Sequence, residues 1–128
     1  MAVETEFSLR LPNSPGALAD LCSVLAGEHI NIVALSLESA GHLKLVVDNP
    51  VRTDGALRDR RHKVARRDVL VVAVPHAAGG LAPVLRLLAE AGVNVEYAYS
   101  GGGSPGTQAT VVLGVDDPMR AAAAAGIG

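Results

Sequence analysis

The stretch Pro12-Asn13-Ser14-Pro15-Gly16-Ala17-Leu18-Ala19 decides the reading of this chain, because it occurs twice. A shift of 63 residues brings it onto Pro75-His76-Ala77-Ala78-Gly79-Gly80-Leu81-Ala82. Pro12, Gly16, Leu18 and Ala19 recur unchanged, and the same shift carries Leu25 onto Leu88, Ala26 onto Ala89 and Asn31 onto Asn94. Leucine and alanine are common here, so the glycine and the distant asparagine are the informative matches. One register that aligns both marks a duplicated supersecondary unit.

Outward from that turn, each copy spells the same order of elements. Residues 3–11 place Phe7, Leu9 and Leu11 on one face, which predicts a strand. Asn13 and Ser14 suit a helix cap and Pro15 the first helical position. Leu18, Leu21, Cys22 and Leu25 then recur at helical spacing. Residues 30–37 and 42–47 predict two strands around a tight turn at Gly41. Asp48-Asn49-Pro50 opens a short helix over 51–60, weakened by Gly55, which costs about 1 kcal/mol relative to alanine. Residues 62–67 alternate and are polar, which predicts an edge strand.

In the second copy, residues 69–74 form an apolar run of the kind buried on both faces. Leu81, Val84, Leu85 and Leu88 mark a helix, and residues 93–99 and 107–115 a hairpin around the loop at 100–106. Asp116-Asp117-Pro118 restates Asp48-Asn49-Pro50 at a shift of 68, so the additional residues sit in the Gly101-Gly102-Gly103-Ser104-Pro105-Gly106 loop. An alanine-rich helix over 119–125 follows, with no strand after it. The expected class is therefore α+β. Two ferredoxin-like βαββαβ units stand in tandem, residues 1–67 and 68–128, each an antiparallel sheet with its helices on one face, the second lacking its last strand. A unit this small buries too little surface to be comfortable alone. The two sheets are expected to pair or pack with each other and with a second chain.

Composition narrows the function classes. Hydrophobic residues make up 49%, enough for a core, but aromatics only 2%, so the core must be aliphatic. So few rings also argue against base-stacking nucleic-acid modules. A net charge of −2 gives no pull toward nucleic acid or anionic membrane. Cys22 is the single cysteine, which excludes a disulfide framework. No apolar run is long enough to span a bilayer, and residues 1–6 lack the pattern of a signal peptide. The expectation is a soluble, cytoplasmic protein without metal or cofactor.

Asn13-Ser14-Pro15-Gly16-Ala17-Leu18-Ala19 resembles the strand-to-helix turn of ACT domains, and Ile30-Asn31-Ile32 the start of their second strand. The second copy, with Gly79-Gly80-Leu81-Ala82 and Val93-Asn94-Val95, is similar to the second half of small tandem ACT proteins. The resemblance implies a non-catalytic regulatory protein that binds a small molecule, most often an amino acid, between paired ACT units. The edge left by the missing last strand predicts a homodimer, and a regulatory role points to a regulated enzyme as a further partner. Carried over from serine-sensing members, the ligand positions are Asn13, Gly16, Ala17 and Asn31, and in the second copy His76, Gly79, Gly80 and Asn94. Leu11 and Val74 stand where some members have a polar ligand contact, and Ala78 where the family has Pro, which argues against serine itself.

Elementary chemistry fits an amino-acid ligand. A glycine turn opening a helix exposes N–H groups at the positive end of the dipole, which suits a carboxylate. An asparagine side chain both donates and accepts. Each of these residues also has a structural reading. Asn13 can cap a helix, Asn31 can bond at a strand edge, the glycines can serve the turn, and His76 can be a loop residue. Tyr97 and Tyr99 share a strand face and fit a pocket, an interface or ordinary packing. The basic residues of 58–67 suit a solvated edge. Two other functions share the fold: a small acylphosphatase- or mutase-like enzyme, and a docking subunit without ligand. The first needs an arginine or acid–base pair after the first strand, where only Asn13, Ser14 and His76 are offered.

Overall fold

The computed structural model describes residues 2–103 and 106–124. The first repeat runs β1 (Ala2–Arg10), α1 (Ala17–Gly27), β2 (Ile32–Leu37), β3 (His42–Val47) and α2 (Pro50–Asp59). The second runs β4 (Ala65–Pro75), α3 (Ala82–Glu90), β5 (Val95–Ser100), β6 (Gln108–Val115) and α4 (Pro118–Ala124). Two compact units result. One is Thr5–Arg67; the other starts at Asp68 and includes the opening residues of the chain to Glu4.

In the unit Thr5–Arg67 the antiparallel order is β2-β3-β1. Phe7 pairs with Leu45 and Leu9 with Leu43, and from the other side Leu35 and Leu37 meet the same two leucines. Period-two alternation thus gathers one apolar face. The helices cover that face: α1 contributes Leu21 and Leu25, and α2 contributes Leu57. Phe7, Leu25, Leu43, Leu45 and Leu57 are fully sealed. Each such side chain supplies roughly 1.5–3 kcal/mol of burial. Arg52 on α2 donates from Nη1 to the Glu28 carbonyl at 3.1 Å, placing a cation at the negative end of α1.

The other unit repeats the plan with the order β4-β6-β5. Leu70 pairs with Leu113 and Val72 with Val111, and α3 and α4 lay Val84, Leu88, Ala121 and Ala122 on that face. Val3, from the opening residues, packs against this core. The duplication reaches fine geometry. A bulge interrupts β2 between Ile32 and Ala34 and recurs in β5 between Val95 and Tyr97, at the 63-residue shift. Asn49 Oδ1 accepts the Arg52 N–H and Asp117 Oδ1 the Arg120 N–H, so Asp48-Asn49-Pro50 and its copy start helices as the sequence predicts.

Two local features differ from the sequence expectation. The predicted strands at 62–67 and 69–74 are one strand, β4, beginning at Ala65. No glycine or proline separates them, and Asp68 alone does not break an extended chain. Neither Asn13 nor Ser14 caps α1 with its side chain; the N-cap is Gly16, at φ 88°. The left-handed glycine turns the chain into the helix only after Ala17 N–H has bonded the Ser14 carbonyl. Part of the predicted 100–106 loop and the end of the last predicted helix lie outside the described residues.

Candidate functional site in the first repeat

Helix α1 begins without a side-chain cap. Asp20 N–H bonds the Gly16 carbonyl at 2.9 Å and Ala17 N–H the Ser14 carbonyl at 3.3 Å. Among the described residues, the Leu18 and Ala19 N–H groups have no acceptor. They open on a cavity of about 140 Å³ whose lining includes Asn13, Ser14, Gly16, Ala17 and Glu38. A Cβ on Gly16 would have no atom within 4 Å, so the approach to these amides is open.

Glu38 reaches this turn because of sheet register. Arg10 at the end of β1 pairs with His42 at the start of β3, which sets the β2–β3 turn beside the β1–α1 turn. Leu11 N–H donates to the Gly41 carbonyl at 2.8 Å and locks the two turns together. Glu38 Oε1 lies 3.0 Å from His42 Nδ1, and His42 Nε2 lies 2.6 Å from Arg10 Nη2. The two contacts fit the tautomer with the proton on Nδ1, donating to Glu38 while Nε2 accepts from arginine. A carboxylate and the start of a helix with unbonded N–H groups therefore line one cavity. Glu38 was missed in the sequence. Its cue is the acidic residue beside Gly41 in a turn that an antiparallel β1–β3 pair returns to the end of β1.

The remaining candidates fall elsewhere. Asn31 immediately precedes β2, beyond the far end of α1, a helix roughly 16 Å long. Its main chain is clamped: Asn31 N–H donates to Asp48 Oδ1 at 2.9 Å, and Asp48 N–H returns to the Asn31 carbonyl at 3.1 Å. Asn94 is held the same way by Asp116, at 3.1 and 3.3 Å. Both asparagine side chains are exposed. So Asn13, Gly16 and Ala17 come together, and Asn31 does not join them within the unit.

The second repeat shapes its turn differently. His76 is pinned by its backbone, its N–H to the Thr107 carbonyl at 2.7 Å and its carbonyl to the Gly106 N–H at 3.3 Å. A Cβ on Gly80 would lie 2.0 Å from the Pro75 carbonyl oxygen, so Gly80 serves the turn. Pro83 near the start of α3 has no N–H, so that helix start has one backbone donor fewer. Gly79 opens on a wide, shallow groove along α3 lined by Ala82, Pro83 and Arg86, without His76 or Gly80. Tyr97 lies over Gly114, where a Cβ would meet its ring at 2.3 Å, and stacks with Tyr99 at a centroid distance of 6.3 Å. Among the described residues no three His, Cys, Asp or Glu side chains gather as metal ligands, and no helix is long and apolar enough to cross a membrane.

Two ferredoxin-like modules in one chain, each entering its first helix through a left-handed glycine, define the class. The family follows directly: the model of the ACT domain pair matches residues 1–125, and the chain belongs to that family. It is similar to the crystal structure of a Bacteroides thetaiotaomicron protein at 32% identity and TM-score 0.84, covering 95% of this chain and 85% of that one. It is similar also to the ligand-free regulatory subunit of aspartate kinase from Thermus thermophilus, at 19% identity and TM-score 0.68, covering 96% and 91%. A putative C-terminal regulatory domain of aspartate kinase from Porphyromonas gingivalis matches at 18% identity and TM-score 0.66, again covering 96% and 91%. No curated protein matches the chain by sequence.

Proposed function

We propose that this chain is a non-catalytic regulatory protein that binds a small amino acid at the first glycine turn. The observation that carries the reading is that the open start of α1 and Glu38 line one small cavity. The ligand carboxylate meets the Leu18 and Ala19 N–H groups, and its ammonium meets Glu38. The cavity of about 140 Å³ favours a short side chain. Likeness to regulatory parts of aspartate kinase supports an enzyme as the regulated partner. The active form is a cytoplasmic homodimer, in which a second copy brings its Asn31 toward the turn. Ligand at such a junction shifts the population between two packings, and the partner reads the shift. His76, Gly79, Gly80 and Asn94 form no equivalent amino-acid site, so one ligand binds per chain.

Titration calorimetry of the full chain with glycine, L-alanine and the other small amino acids tests this. The expected result is one site per chain, weakened at least tenfold by Glu38→Gln at an unchanged melting temperature. Silence of every small amino acid, or binding indifferent to Glu38→Gln, refutes the proposal. Sedimentation tests the dimer: a monodisperse monomer at micromolar concentration counts against it.

A further inference from the structure

The sheet of the unit Thr5–Arg67 has a second face, turned away from α1 and α2. Leu9 pairs with Leu43, and both side chains are buried on the helix side, so Ser8, Arg10, His42 and Lys44 stand on the other face. Arg10 is opposite His42 and Ser8 is opposite Lys44. The four line a cavity of about 310 Å³ with no acidic residue on its walls. Opposite residues lie about 5 Å apart and successive residues on one face about 7 Å, so the four mark out a patch the size of one tetrahedral oxyanion ringed by its donors. Arg10 is held in place without being neutralised. Its Nη1 donates to the Ala40 carbonyl at 3.3 Å and its Nη2 to His42 Nε2 at 2.6 Å. Among the described residues no carboxylate pairs with Arg10, its remaining N–H groups have no acceptor, and the Ser8 hydroxyl has no hydrogen-bond partner. The nearest carboxylates are Glu38, held on His42 Nδ1, and Glu6, which is buried further along the same face opposite Val46. The fold does not require this charge. In the second repeat the same four places are Val71, Ala73, Thr110 and Val112, with Val71 opposite Val112 and Ala73 opposite Thr110, and the sheet forms with that face neutral.

We infer that this face of the first repeat binds the dianionic phosphate of a small soluble molecule. The Arg10 fork meets two phosphate oxygens, Lys44 adds a second positive charge, and the Ser8 hydroxyl donates one more hydrogen bond. His42 and the Ala40 carbonyl act through Arg10: by engaging two of its N–H groups they fix where the others point. The cavity is larger than a lone phosphate fills, which leaves room for a short organic body. The inference does not depend on the glycine-turn proposal, because the two cavities share no lining residue.

Titration calorimetry of the full chain with inorganic phosphate and with glycerol 3-phosphate is the test, at fixed ionic strength and with acetate as the comparison anion. Both phosphates are expected to bind at one site per chain, and acetate at least tenfold more weakly. Arg10→Gln and Lys44→Gln are each expected to weaken phosphate binding at least tenfold, while Arg86→Gln, which removes a cation from α3, leaves it unchanged. Circular dichroism melting shows whether the fold is intact, and Lys44→Arg, which keeps the charge, should retain binding. The inference is overturned if neither phosphate binds at millimolar concentration, if acetate binds as tightly, if Arg10→Gln and Lys44→Gln bind phosphate as the wild type does, or if Arg86→Gln weakens it as much as they do. Glu38→Gln is expected to keep phosphate binding while losing the small amino acid, so the two proposals fail separately.

Discussion

Replacing His29 by glycine should stabilise the protein, and the second repeat provides the reason. The end of α1 is tied by His29 N–H to the Ala26 carbonyl at 3.0 Å and Ile30 N–H to the Leu25 carbonyl at 2.9 Å. The end of α3 has the same pair, Gly92 N–H to Ala89 and Val93 N–H to Leu88, at 3.0 and 2.9 Å. This Schellman closure needs a left-handed residue, and φ is 56° at His29 and 73° at Gly92. A residue with a Cβ pays about 1–2 kcal/mol for that conformation, and glycine instead loses about 0.4–1 kcal/mol of chain entropy on folding. His29 is exposed and its ring makes no described contact, so little else changes. His29→Gly is thus expected to gain about 1 kcal/mol, a rise of roughly 4 °C in melting temperature for a chain of this length. The reverse exchange, Gly92→His, should cost a similar amount, because a Cβ there meets nothing within 4 Å and the penalty is backbone alone. Urea denaturation followed by circular dichroism measures both, with an unchanged slope showing that only stability moved. If His29→Gly is neutral or destabilising while Gly92→His is tolerated, the strain argument fails.

Gly41→Ala should destabilise by about 2 kcal/mol or more, since the new Cβ would lie 2.3 Å from the Leu11 carbonyl oxygen at a φ of 90°; its denaturation midpoint checks this. Gly55→Ala, in the middle of α2 with open space around it, should gain about 0.5–1 kcal/mol in the same assay. Asp48→Ala should cost about 1–2 kcal/mol by releasing the Asn31 N–H, whereas Asn31→Ala, which leaves that backbone bond in place, should stay within about 0.5 kcal/mol of wild type. Amide exchange would show the Asp48 effect as faster exchange at Asn31.

The sequence was most legible where repetition and period agreed. Phe7, Leu9 and Leu11 alternate, and the sheet puts all three in one core. Asp48-Asn49-Pro50 and Asp116-Asp117-Pro118 announce helix starts because capping is local chemistry. The first helix was less legible, since Asn13, Ser14 and Pro15 offered cap signals that a left-handed Gly16 overrode. The candidate site was partly legible. Asn13, Gly16 and Ala17 are neighbours in sequence and share a cavity. Glu38 enters it through strand pairing, and Arg10 and His42 reach Glu38 the same way. Such meetings depend on tertiary register, which local patterns do not encode.

The boundary between the units bears on how the gene can be divided. A cut between Arg67 and Asp68 falls inside β4; it leaves one fragment with everything from Thr5 to Arg67, but deprives the other of the residues up to Glu4 and of the first three residues of that strand. Val3 then no longer packs on the core of Val72, Val111 and Leu113. The downstream fragment is a protein that has lost the packing of Val3 on its core, and a peptide carrying the first residues is its natural complement. Tethered to two other proteins, such a pair would make a split reporter whose reassembly is read as recovered folding of the second unit.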